Sequence, residues 1–214
     1  MQLHEIQDLE RRVKSYWYDD GIAELSGGGM FLLLGIYFAL QGYLGPSSFV
    51  SVILQVSMVL VLILGAFLVR RAINTLKSRL TYPRTGFVEY RVNEKDVKRR
   101  RYWAAAIALV VSSASMALYR FIRVLDAVVL VTGLLLGLIL IVLRARSDGM
   151  QRLYVLGGFS ILLGMGLSVA GLPQAYGLAL FYGLLGGASM VSGGSALRRY
   201  LAENPMPPEA PRDR

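Results

Sequence analysis

Cysteine is absent from this 214-residue chain, and several kinds of chemistry are absent with it. Without thiols the chain has no disulfide bond, no thiolate nucleophile and no cysteine-ligated metal. Its single histidine, His4, cannot form a histidine-based metal site alone. The sequence also lacks a G-x-S-x-G elbow and a glycine-rich phosphate loop placed after a strand. We therefore predict no enzymatic activity, no cofactor and no metal.

Charged residues are also scarce, and this scarcity indicates the class of protein. They make up 17% of the chain, whereas a soluble globular domain has about 25%. Hydrophobic residues make up 55%, and the mean hydropathy is +0.50. The apolar residues stand in long runs without charge, which is typical of segments surrounded by lipid. The chain is predicted to be an integral membrane protein.

Six apolar runs are long enough to cross about 30 Å of hydrocarbon as helices. They are Leu25–Leu44, Phe49–Val69, Trp103–Tyr119, Val124–Leu143, Leu153–Leu172 and Tyr176–Ala196. Uncharged turns at Gly45-Pro46 and Leu172-Pro173 separate the first and the last pair. We predict an all-α fold of six transmembrane helices arranged as three hairpins.

Lysine and arginine are distributed unequally between the two sides of this topology. Of the 23 in the chain, 21 fall on the side of both termini, and only Arg120 and Arg123 fall on the other. Because basic loops stay in the cytoplasm, the termini are predicted to be inside.

The predicted organisation alternates cytosolic and membrane segments. It comprises an amphipathic N-terminal helix (1–24), hairpin 1 (25–69), a basic cytosolic loop (70–102), hairpin 2 (103–143), a short loop (144–152), hairpin 3 (153–197) and a disordered tail (198–214).

The two larger cytosolic segments lead to further expectations. The N-terminal helix either lies on the membrane surface or packs on the cytosolic loop. In the loop, Pro83 predicts an extended conformation for Tyr82, and Phe87–Val92 is β-prone. Eleven basic residues between Arg70 and Arg101 are the topology signal and also favour contact with anionic lipid headgroups. Nucleic acid is disfavoured as a partner because this loop is short and tethered to the membrane.

Small residues recur inside the apolar runs. Gly133-x-x-x-Gly137 and Gly183-x-x-x-Gly187 allow helices to approach closely. They favour packing within one chain, and a homo-oligomer is the alternative. No proline interrupts an apolar run, and no charge lies within one except Asp126 at a helix end. Both features are unusual for an ion-coupled transporter.

Two strings on the cytosolic side are the most distinctive in the chain. Tyr82-Pro83-Arg84-Thr85-Gly86 and the segment from Tyr16 to Leu25 resemble uncharacterised prokaryotic multi-pass membrane proteins. The resemblance implies membership of a family without assigned activity and transfers no catalytic residues. We predict the plasma (inner) membrane of a prokaryote as the location.

These strings also define a candidate interaction surface. It consists of Tyr82, Pro83, Arg84, Thr85 and Gly86 together with Asp19, Asp20 and Glu24. We hypothesise that Arg84 binds Asp20 or Glu24, because its planar fork can bind a carboxylate bidentately. In the alternative, Asp20 only caps its helix and Arg84 faces lipid phosphates or water.

The leading functional hypothesis is a non-enzymatic membrane subunit, structural or partner-binding, that works through its cytosolic face. The rival is a small-solute permease or the membrane subunit of a transport system.

Overall fold

The computed structural model describes residues 20–45, 49–85, 127–145 and 151–205. Within these ranges it is helical and contains no strand: α1 (Ile22–Leu44), α2 (Phe49–Leu76), a π turn (Lys77–Thr81), α3 (Tyr82–Thr85), α4 (Ala127–Ala145), α5 (Gln151–Val169) and α6 (Gln174–Glu203). The predicted N-terminal helix, the third apolar run, the β-prone stretch and residues 206–214 of the tail lie outside the described residues. The prediction that the disordered tail starts at residue 198 is wrong, because α6 continues to Glu203.

Four of these helices are long and apolar enough to cross a membrane, which confirms the prediction of a helical architecture with apolar helices of membrane-spanning length. They are Ile22–Leu44, Val56–Thr81, Gln151–Val169 and Gln174–Glu203, and α4 contributes a shorter apolar stretch, Ala127–Val142. Many large apolar side chains point outward; Val56, for example, is 78% exposed. Lipid is the solvent that suits such a surface.

The most extensive packing joins the first and last of these helices, α1 and α6, which run antiparallel. Glycines at every seventh position of the α1 segment line the contact: Gly21, Gly28, Gly35 and Gly42. A Cβ built on Gly28 would lie 2.9 Å from the carbonyl oxygen of Gly186. Since real Cβ atoms do not approach backbone that closely, the two helix backbones can come this near each other only where α1 has no side chain.

A second antiparallel pair, α4 and α5, is built in the same way. A Cβ on Gly133 would lie 2.6 Å from the Cα of Gly164. The buried Ser160 hydroxyl donates a 3.0 Å hydrogen bond to the Gly133 carbonyl. Small residues and one interhelical hydrogen bond therefore hold this pair together, as is common in membrane proteins.

Helix α2 packs less extensively within the described bundle. The Tyr37 hydroxyl of α1 donates to the Leu54 carbonyl, and the Met30 side chain lies against Gly65. Beyond Val69 the helix continues through the π turn into α3, over roughly 55 Å in total at 1.5 Å per residue. It therefore extends beyond a hydrocarbon layer of about 30 Å. Residues 70–85 are called the α2 extension below.

The prediction of an extended conformation for Tyr82, before Pro83, is wrong. Tyr82 has helical angles, φ −62° and ψ −37°, and its amide donates to the Lys77 carbonyl five residues back. Pro83 has no amide hydrogen to place in a helix. The helical path at this point coincides with contacts that Thr81 and Arg84, on either side, make with other helices. Tertiary contacts here outweigh the local preference.

Candidate functional site

Four helix ends meet at one end of the bundle. They are the beginnings of α1 and α5, the extension of α2 and the C-terminal part of α6, and polar contacts join all four. These are the ends that the distribution of basic residues assigns to a single side of the membrane.

The first contact is a buried ion pair between Asp20 and Lys77. The Lys77 Nζ lies 2.9 Å from Asp20 Oδ2, and the two side chains are 2% and 0% exposed. The Thr81 hydroxyl donates to the same oxygen over 3.1 Å, and the Ile22 amide donates to Oδ1 over 3.1 Å. The carboxylate thus binds the first amide of α1 and connects this helix to the α2 extension. These partners are needed because a buried charge is stable only when it is paired and hydrogen-bonded.

The π turn carries both side chains that bind Asp20. Lys77 and Thr81 are its first and last residues and are both buried, whereas Ser78 and Arg79 between them are exposed. Such wider turns are rare and often occur at functional sites. In this protein the turn directs a cation and a hydroxyl at one carboxylate.

The second contact centres on Glu24, one turn along α1. Its Oε1 lies 2.7 Å from Arg152 Nε at the beginning of α5. Its Oε2 accepts a 2.9 Å hydrogen bond from the Ser192 hydroxyl of α6. The glutamate is 9% exposed and Arg152 is 26% exposed, so water reaches the arginine side of this pair more readily. Glu24 joins three helices.

Arg84 binds neither carboxylate. Its Nη1 donates to the carbonyl oxygens of Leu201, at 3.2 Å, and Asn204, at 2.7 Å. These carbonyls lie at the end of α6, where the last residues of a helix lack partners along the chain. A positive charge also suits the negative end of the helix dipole. Arg84 therefore caps α6.

The hypothesis that Arg84 meets Asp20 or Glu24 is wrong in its pairing. The two acidic residues do lie beside the α2 extension and its neighbours, but their cations are Lys77 and Arg152. The alternative is wrong as well, because Gly21 is the N-cap residue of α1 and Arg84 binds the end of α6. Asp20 accepts from the Ile22 amide, but it also binds Lys77.

The other predicted surface residues give a partial picture. Tyr82 is partly buried, and Pro83 and Thr85 lie in α3. Asp19 and Gly86 fall outside the described residues, as do the side chains of Pro83 and Thr85.

Four contributing residues were not predicted from the sequence: Lys77, Thr81, Arg152 and Ser192. For Lys77 and Thr81 the spacing of four residues placed both on one helical face, which was an available signal. Arg152 and Ser192 carried no local signal, because each meets Glu24 only through the packing of separate helices.

The described carboxylates all have a cationic partner. Asp20 is paired with Lys77, Glu24 with Arg152 and Glu203 with Arg199. Among the described ranges no group of three or more acidic, histidine or cysteine side chains could hold a metal ion. These ion pairs and hydrogen bonds hold the helices together.

No protein-family model, curated protein or solved structure matches the chain.

Proposed function

We propose that this chain is a non-enzymatic membrane subunit that binds a protein partner through the end of the bundle where Asp20, Glu24 and Arg84 lie. The supporting observation is that each of these three residues joins separate helices there. Joined helix ends form a preorganised surface, and a preorganised surface loses less entropy on binding.

The accompanying topology is six transmembrane helices in three hairpins with both termini in the cytoplasm of a prokaryote. The convergence of four helix ends supports it, because those ends belong to the segments that are rich in basic residues. The partner-binding end would then be cytosolic.

Site-specific crosslinking tests the proposal. A photoreactive residue replaces exposed Ser78 at this end, and a matched control replaces exposed Gln174 at the beginning of α6, at the opposite end. We expect one protein species crosslinked in native membranes from position 78 and none from position 174. Equal adducts from both positions, or none from either, would contradict the proposal.

A small-solute permease is the second candidate, and one observation favours it. Ion pairs between helices at one end of a bundle can break and re-form, and Glu24–Arg152 is partly accessible to water. Purified protein in vesicles should show no flux of small ions, sugars or amino acids if the first proposal is right. A flux that changes in the Glu24→Gln variant would instead establish the permease.

A further inference from the structure

Five basic residues on the described extension of α2 divide into two groups. Lys77 and Arg84 turn inward and bind Asp20 and the end of α6. Arg70, Arg71 and Arg79 are exposed and make no hydrogen bond or ion pair with any part of the chain that the structure describes. Only the second group is available to an outside anion.

No carboxylate of the same helix can neutralise these exposed arginines. The sequence contains no Asp or Glu from Leu25 to Val88. The carboxylates of Asp20 and Glu24 are already paired with Lys77 and Arg152. In the part of the chain that the structure describes, no carboxylate compensates the positive charge on the outer face of the extension.

An exposed apolar row leads along α2 to Arg70 and Arg71. It consists of Leu60, Ile63, Leu64 and Phe67, which are between 56% and 63% exposed. Residues three and four apart are neighbours on a helix, so the two arginines continue the row. A phospholipid has the same order of chemistry: apolar chains, then a phosphate.

We infer that Arg70 and Arg71 bind the phosphate of an anionic phospholipid whose acyl chains lie along the exposed row of α2. The guanidinium groups can donate bidentately to phosphate oxygens. A headgroup without its own cation favours the site, because no ammonium then competes for the phosphate. This inference is independent of the proposed protein partner.

Arg79 provides a matched control on the same extension. It is exposed like Arg71 but lies roughly 12 Å farther along the helix, at 1.5 Å per residue. The headgroup layer of each leaflet is only about 5 to 8 Å thick. Arg79 therefore lies beyond the phosphates that Arg70 and Arg71 reach.

The experiment titrates detergent-solubilised protein with short-chain phosphatidylglycerol and follows the rise in Tm. Parallel titrations use short-chain phosphatidylcholine and inorganic phosphate. We expect Arg70→Gln/Arg71→Gln to bind phosphatidylglycerol about thirtyfold more weakly, since each basic side chain near an anionic surface contributes about fivefold. Arg79→Gln should bind it as the unchanged protein does.

The other outcomes would overturn the inference. Equal weakening in Arg79→Gln would indicate general charge attraction without a site. A response to inorganic phosphate as large as that to phosphatidylglycerol would indicate a free-anion site. A response to phosphatidylcholine of the same size would show that net headgroup charge has no role. The single variants Arg70→Gln and Arg71→Gln keep the test valid if the double variant does not fold.

Discussion

Lys77 and Asp20 are a buried pair whose members depend on each other. Placing both charges out of water is costly, and their mutual attraction together with the hydrogen bonds from Thr81 and Ile22 offsets that cost. Removing one of the two charges is therefore expected to lower the stability of the protein more than removing both.

The first prediction concerns Lys77→Met. It should destabilise the protein by about 3 to 5 kcal/mol, because Asp20 would keep a buried charge without a cation. Adding Asp20→Asn should recover part of the loss, since an amide oxygen can still accept from Ile22. The measurement is unfolding in detergent, with exposed Arg79→Met as the control. Strictly additive losses in the double variant would contradict the dependence.

The second prediction concerns Arg84 and the end of α6. Arg84→Ala leaves the Leu201 and Asn204 carbonyls without this donor, at a cost of about 1 to 3 kcal/mol. Amide hydrogen exchange should rise in the last turn of α6 and not at its beginning. Combined with Glu24→Ala, the two losses should add within about 0.5 kcal/mol, because the two side chains share no partner. A coupling energy larger than this would indicate that Arg84 and Glu24 interact directly, contrary to the structure.

At the scale of elements, neighbouring glycines of α1 differ in whether they pack against another helix. Gly28 lies against the backbone of α6, whereas a Cβ on Gly27 or Gly29 would have nothing within 4 Å. Three consecutive glycines thus have different roles, and only the middle one is required for close approach.

The third prediction uses this triplet as its own control. Gly28→Ala should destabilise the bundle, because its Cβ would lie 2.8 Å from the Met190 amide nitrogen and 2.9 Å from the Gly186 carbonyl oxygen. Gly27→Ala and Gly29→Ala should be neutral or stabilise by up to about 1 kcal/mol, since alanine favours the helix. Thermal unfolding of the three single variants checks this. Equal effects at all three positions would contradict the packing.

Much of the helical architecture could be predicted from hydropathy, and some of it could not. The expected runs Phe49–Val69 and Leu153–Leu172 correspond to α2 and α5, because the length of an apolar run follows the thickness of the bilayer. The helical state of Tyr82 was not predictable from its neighbour Pro83, because contacts with distant helices determine it.

The same division applies to the candidate site. Asp20 and Glu24 could be selected because acidic residues beside a membrane span are conspicuous. Their cations could not be selected, since Lys77 and Arg152 become neighbours only when helices from distant parts of the chain pack together.

At the scale of the whole molecule, the fourth prediction concerns orientation. The chain has no cysteine, so Ser78→Cys and Gln174→Cys can each be labelled singly at an exposed position. An impermeant thiol reagent applied to intact cells should label position 174 and not position 78, because basic segments remain inside. After the membrane is made permeable, position 78 should also be labelled. Labelling of position 78 in intact cells would reverse the orientation.

The packing of α1 against α6 also has a consequence for biosynthesis. The glycine face of α1 reaches the bilayer early, but its partner is the last helix that the structure describes. At a translation rate of about 5 to 20 residues per second, Gly28 of α1 waits roughly 8 to 32 s for Gly186 to be synthesised. During that interval the groove along Gly21, Gly28, Gly35 and Gly42 is not yet covered by α6. Other helices with small residues, or chaperones, can then contact this groove. A ribosome that stalls before α6 would release a chain with this groove unfilled, a form that membrane quality control could distinguish from the finished protein.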